Sequence, residues 1–198
     1  MNKKILVHFK TVDPLLYSYI TNPDELSVGR SPNHLFDLCE AVIWQQLSDK
    51  AASKIVDRFL ALFGKKRITA GNLLQLSDTT IRNVGISWSK VHFIKEIAKA
   101  VDTNRLVFDT LKKKDNEAIT EELTKIKGIG PWTAQMFLMF SLGREDVFSP
   151  GDLGLRKAIQ KIYKLKREPT FQQAGKIAEK WSPYRTYACL VLWKILDG

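Results

Sequence analysis

The sequence predicts an all-α fold of about ten helices joined by short connections. Three observations carry this. Apolar residues recur at helical spacing, as in Leu35, Leu38, Val42, Ile43 and Leu47. Ser, Thr and Asp stand where helices would start, and Gly or Pro where they would stop. Beyond residues 1–10 no stretch alternates convincingly at period two, and no solenoid-length repeat is visible.

Residues 1–10 (MNKKILVHFK) read as a short strand or an extended arm. Asp13-Pro14 then opens a helix over roughly 14–21, with Asp as N-cap and Pro at the first helical position. Pro23, Gly29, Ser31 and Pro32 make 22–33 a connection. Helices follow over 33–47 and 49–63, with Gln45–Ser48 as a tight corner between them or a polar interruption of one continuous helix. Thr69 and Ser77-Asp78 cap two short pieces before the break at Val84–Ser87. Further helices are expected over 88–101, 115–126, after Pro131, after Asp152, over 171–180 and over 184–196, with a short element at 106–111.

Composition narrows the class. The 198 residues suffice for one large domain or two small lobes sharing a core, and 44% hydrophobic content sustains a sizeable core. Cys39 and Cys189 lie alone in apolar helical contexts, which predicts buried free thiols in a reducing compartment. His8, His34 and His92 are scattered, so no metal spacing and no metal ligand is expected. The N-terminus does not read as a signal peptide, and no apolar run reaches membrane length. A net charge of +10 and a pI near 9.6 predict attraction to a polyanion.

Two motifs stand out. Gly128-Ile129-Gly130 breaks a helix, and Pro131 starts the next. The glycines leave backbone N–H groups unhindered at a helix N-terminus, which favours a phosphate oxygen, and Lys125 and Lys127 add charge. A plain corner needing Gly to turn fits the spacing equally well. The second motif is Asp152 after Ser149-Pro150-Gly151, which by itself reads as the N-cap of the next helix.

Together these segments resemble a known family. Leu123–Ala134 (LTKIKGIGPWTA) is similar to the helix-hairpin-helix element of a DNA glycosylase superfamily. Ser149–Leu155 resembles the Gly-rich segment ending in an aspartate that follows that hairpin. Trp44-Gln45-Gln46-Leu47-Ser48, Gly85-Ile86-Ser87 with Lys90, and Trp181–Ala188 resemble segments of the alkylation-repair branch, the DNA-3-methyladenine glycosylase II group. The resemblance runs over about 13–196, in order. It implies an all-α fold of two helical lobes with the active-site cleft between them. One lobe would be a six-helix body over 40–150 with the hairpin near 117–142. The other would combine 1–39 with 151–198.

The resemblance also implies roles. Asp152 is the expected catalytic residue, its carboxylate stabilising an oxocarbenium-like sugar and orienting or deprotonating water. Trp132 occupies the position where relatives that also cut the backbone carry a nucleophilic lysine, so simple hydrolysis is expected. Trp132 and Tyr184, with Met136 as a weaker candidate, would bind the base; an aromatic face attracts a cationic alkylated purine by about 0.5–2 kcal/mol. Gln46, or else Leu47, would fill the gap left by the flipped nucleotide. Lys127, Gly128, Gly130, Thr133, Ser87 and Lys90 are the remaining DNA-binding candidates, with phosphate contacts also expected near Arg156, Lys157 and Lys161.

The expected activity is monofunctional excision of alkylated purines (3-methyladenine and 7-methylguanine type) from double-stranded DNA in base excision repair. Alternatives are a glycosylase for deaminated or mismatched bases and a non-catalytic helix-hairpin-helix DNA-binding protein. No cofactor is expected: the cluster-bearing branch uses four C-terminal cysteines, and that half holds only Cys189. The expected partner is double-stranded DNA with damaged bases. The chain is expected to act as a monomer, with no membrane, in the cytoplasm at the nucleoid or else in a nucleus.

Overall fold

The computed structural model describes residues 3–197, and every regular element among them is helical. In order these are α1 (Lys3–Val12), α2 (Pro14–Tyr17), α3 (His34–Trp44), α4 (Asp49–Ala61), α5 (Ala70–Gln75), α6 (Asp78–Asn83), α7 (Trp88–Asp102), α8 (Phe108–Leu111), α9 (Asn116–Thr124), α10 (Pro131–Met136), α11 (Leu153–Ile162), α12 (Phe171–Ala178) and α13 (Arg185–Asp197). No helix among the described residues is long and apolar enough to cross a membrane.

The chain divides into two compact units: Ser31–Leu142, and Met1–Arg30 with Gly143–Gly198. The resemblance implies a change of lobe near 40 and 150, whereas the units change near 30 and 142. A cut at 40 would divide α3, whose Leu35, Leu38, Val42 and Ile43 are buried along one helix.

Within Ser31–Leu142, α7 packs on α3, α5 and α6. Its Ile94, Ile97 and Ala98 are fully buried, as the 3.6-residue period requires. A capping box at Thr69 starts α5, and Ser77 caps α6. The expected corner at Gln45–Ser48 is present. Beyond α10, Phe137–Ser141 is wound as a π-helix, with Leu142 N donating to Phe137 O at 3.1 Å. There Ser141 is buried; its hydroxyl donates to Asp37 and lies 2.8 Å from His34 Nδ1.

The other unit packs α11 on α13, burying Leu155, Ala158 and Ile159 on one side and Ala188, Cys189 and Leu192 on the other. Residues 3–12 correct the strand or extended arm expected from the sequence. They form α1, because Ile5 and Phe9, four apart, face the interior together. The next helix is shorter than expected, Pro14–Tyr17. Its N-cap Asp13 does more than cap. It accepts from Leu16 N at 3.1 Å, from Trp181 Nε1 at 2.7 Å, from Tyr163 OH, and from Lys180 Nζ at 2.9 Å. Burial alone would raise its pKa, but the hydrogen bonds from Tyr163, Trp181, Leu16 and Lys180 outweigh burial and hold it below the ordinary carboxylate range.

Cys39 and Cys189 are free and buried, and burial pushes both thiols well above their usual range. Among the described residues no group of three or more His, Cys, Asp or Glu side chains is placed to hold a metal.

Candidate functional site

The hairpin is built from α9, capped by Asp115, and α10, which starts at Pro131. Between them Ile129 N donates to Ile126 O at 3.1 Å, and Ile129 is buried as the anchor of the turn. The two glycines differ in kind. Gly128 has φ +95°, and a Cβ there would lie 2.1 Å from Phe93 Cγ. Gly130 caps α10 at φ −94°, and a Cβ there would meet nothing within 4 Å. Gly128 is therefore demanded by the fold, whereas Gly130 leaves an open approach to the first amides of α10. Lys125 and Lys127 are exposed on the same turn.

The corner after α3 is tied to this hairpin. Gln45 Nε2 donates to Gly128 O at 3.0 Å and to Thr133 Oγ1 at 2.8 Å. Lys90 Nζ donates to Ile43 O at 2.9 Å and Gln45 O at 2.6 Å, so its ammonium satisfies carbonyls at the C-terminal end of α3. Burial holds Lys90 below the ordinary lysine range. Ser87 caps α7, accepting from Lys90 N at 3.4 Å. Gln46 and Leu47 project from this braced corner, both exposed, and Gln46 takes φ +56°, a left-handed conformation uncommon outside glycine.

The structure thus gathers Gln46, Leu47, Ser87, Lys90, Lys127, Gly128, Gly130, Trp132, Thr133 and Met136 into one unit. Thr133 is buried, and its hydroxyl accepts from Gln45 Nε2. Met136 is 8% exposed and sits among core residues, whereas Trp132 in the first turn of α10 is half-buried.

Asp152 and Tyr184 belong to the other unit. Asp152 caps α11, its Oδ1 accepting from Leu155 N at 2.8 Å and from Trp193 Nε1 at 3.2 Å. A Cβ on Gly154 would come 3.1 Å from that oxygen. The preceding chain is braced from α13. Thr186 Oγ1 donates to Arg144 O at 2.6 Å and accepts from Val147 N at 3.1 Å, and Arg185 pairs with Asp146 through Nε and Nη2 at 2.7 and 2.9 Å. Burial would raise the Asp146 pKa, but hydrogen bonds from Arg185 and Ser182 outweigh it and hold the carboxyl below its usual range. Tyr184 is half-buried, with the His8 ring edge-on at 5.2 Å and Tyr187 at 6.2 Å.

Of Arg156, Lys157 and Lys161 after Asp152, Lys157 is exposed and the other two have partners within the protein. Arg156 pairs with Glu168, and Lys161 Nζ donates to Ile195 O at 2.9 Å. No local pattern in the sequence marks the bridging role of Gln45 or the contact of Trp193 with Asp152. The available signal for Trp193 was an indole N–H in an otherwise apolar helix, which needs an acceptor when buried.

Comparison with known proteins fits this geometry. Residues 39–183 match the HhH-GPD superfamily of base excision DNA repair proteins. DNA-3-methyladenine glycosylase 1 of Schizosaccharomyces pombe is 35% identical over 160 residues, covering 80% of this chain and 70% of that protein. The crystal structure of a 3-methyladenine DNA glycosylase from the same organism, bound to abasic DNA, superposes with a TM-score of 0.88 at 32% identity, covering 97% of this chain and 96% of the other. A DNA-3-methyladenine glycosidase from Bacillus halodurans gives 0.76 at 36% identity, covering 94% and 88%. From the hairpin, the braced carboxylate and these matches it follows that the chain belongs to the HhH-GPD superfamily of base excision DNA repair proteins.

Proposed function

We propose that this chain is a monofunctional DNA glycosylase that flips alkylated purines, chiefly 3-methyladenine, out of double-stranded DNA and hydrolyses their N-glycosidic bond. The observation that carries the reading is the fixed carboxylate of Asp152, gripped through Oδ1 by Leu155 N and Trp193 Nε1 at a helix N-terminus that favours negative charge. The relatives named above as 3-methyladenine glycosylases support the substrate class.

The hairpin amides around Gly130, with Lys127, take a backbone phosphate of the duplex. Gln46, on its braced corner, fills the space left by the extruded nucleotide, with Leu47 beside it. In an alkylated purine the base already carries positive charge. When the bond from C1′ to the ring nitrogen breaks, the electron pair goes to the base, which leaves neutral. The sugar is left with oxocarbenium character, and the Asp152 carboxylate stabilises it electrostatically. Water then adds to C1′, and its proton passes to Asp152 or to solvent. Trp132 and Tyr184 each offer an aromatic face to a cationic base. With Trp132 two positions beyond Gly130, no amine stands there to form a Schiff base, so the product is an intact strand with an abasic site.

The test incubates the protein with a methylated duplex and with uracil- and hypoxanthine-containing duplexes, then resolves each before and after heating in alkali. Strand scission of the methylated duplex only after alkali supports the proposal. Scission without alkali refutes the monofunctional mechanism, scission of the deaminated duplexes alone refutes the substrate class, and scission of none refutes catalysis.

A further inference from the structure

The sequence offered Arg156 as a phosphate ligand, and its surroundings point elsewhere. Its Nε donates to Glu168 Oε1 at 2.7 Å, with the two side chains 23% and 33% exposed. Its Nη1 lies 3.4 Å from Pro150 O and 3.5 Å from Gly151 O, and its backbone N donates to Asp152 O at 3.2 Å. One residue therefore addresses three successive carbonyls, those of Pro150, Gly151 and Asp152. Glu168 lies in the α11–α12 connection, so the guanidinium is anchored away from the loop that it steadies.

We propose that Arg156, anchored by Glu168, is a positioning residue that fixes the 149–152 loop and thereby the aim of the Asp152 carboxylate. The proposal rests on the catalytic reading of Asp152. The guanidinium is a rigid fork. It presents several N–H donors in fixed relative directions, so one face can hold a carboxylate while an end donor faces the two carbonyls. A lysine at 156 keeps the charge and loses the fork. Near the C1′ atom, small displacements of a reacting group carry large rate penalties.

The experiment compares Arg156→Lys, Arg156→Met and Glu168→Gln in the full chain. The readouts are the single-turnover rate of base release from a methylated duplex at saturating enzyme, the Kd for an abasic-site duplex, and its salt dependence. Both Arg156 variants are expected to lose roughly 10- to 100-fold in rate with Kd and salt slope unchanged. Glu168→Gln is expected to lose less, in the same direction, and to add nothing to Arg156→Met in the double variant. Rescue of the rate by lysine, or weakened binding with a shallower salt slope in Arg156→Met, identifies a phosphate ligand and overturns the proposal. Unchanged rates in both Arg156 variants also overturn it. Should Arg156→Met fail to fold, Glu168→Gln decides: a wild-type rate overturns the proposal, and a reduced rate with unchanged Kd supports it. Asp152→Asn run alongside separates the two levels. If it releases base normally the catalytic reading fails, whereas an inert Asp152→Asn beside fully active Arg156 variants defeats this inference alone.

Discussion

The two hairpin glycines should respond to the same substitution in opposite ways. An alanine at 128 must adopt φ +95° and bring its methyl within 2.1 Å of Phe93 Cγ and 2.4 Å of Phe93 Cβ. A rotamer change cannot move Cβ, so either α7 or the turn has to shift. Left-handed backbone in a residue with a Cβ costs about 1–2 kcal/mol, and forcing extra volume into a packed site costs about 1–3 kcal/mol. Added together, Gly128→Ala should lose about 2–5 kcal/mol, a fall in Tm of about 4–20 °C for a chain of this length. Gly130→Ala meets no atom within 4 Å and no φ penalty. It should lose only about 0.5–1 kcal/mol as a poorer N-cap. If a phosphate approaches the amides of α10, the Gly130→Ala methyl stands in its way and affinity for an abasic-site duplex should drop by roughly tenfold, the equivalent of one charge-assisted hydrogen bond. Thermal unfolding and fluorescence anisotropy on both variants check this. A wild-type Tm for Gly128→Ala refutes the conformational argument, and wild-type affinity for Gly130→Ala refutes the phosphate site.

Gln45→Ala removes both bonds to the hairpin and leaves the Thr133 hydroxyl buried without that donor, so urea unfolding should show a loss of about 1–3 kcal/mol together with weaker DNA binding. Lys90→Met should lower stability by about 1.5–3 kcal/mol through the carbonyls of Ile43 and Gln45, while the salt slope of DNA binding changes by less than one phosphate's worth. Asp13→Asn should destabilise at neutral pH. Because the folded pKa of Asp13 lies below its ordinary value, its contribution is complete above about 3.9, the unfolded value, and disappears as pH falls through the folded one. Urea titrations of wild type and variant should therefore stay apart above about pH 4, begin to converge below it, and meet only once the pH is below the folded value.

Much of the fold was legible because its signals are local. Asp13-Pro14, Thr69, Ser77 and Asp152 cap the helices that they announce. The first helix was missed because Ile5-Leu6-Val7 favours a strand locally, while the burial of Ile5 and Phe9 four residues apart favours a helix. Nothing in Phe137–Ser141 announces a π-helix; the segment packs against α3, a long-range contact that no local pattern encodes. At the candidate site the residues that attract attention by type, Gly128, Gly130, Trp132 and Asp152, were readable. The partners were not. Gln45, Trp193 and Glu168 act on residues 83, 41 and 12 positions away, and no spacing encodes those contacts. Charge is no better a guide to partners: Lys90 and Lys161 donate to the protein's own backbone and Arg156 pairs with Glu168, interactions that a count of basic residues cannot separate from phosphate binding.

In the proposed mechanism the Asp152 carboxylate performs the chemistry. Asp152→Asn is nearly isosteric and still presents an oxygen to Leu155 N and Trp193 Nε1, so the capping geometry survives while the charge is lost. The decisive measurement is the single-turnover release of methylated base by this variant, with abasic-duplex binding measured on the same preparation. Base release should fall to background with binding close to wild type. Release at the wild-type rate would contradict that mechanism.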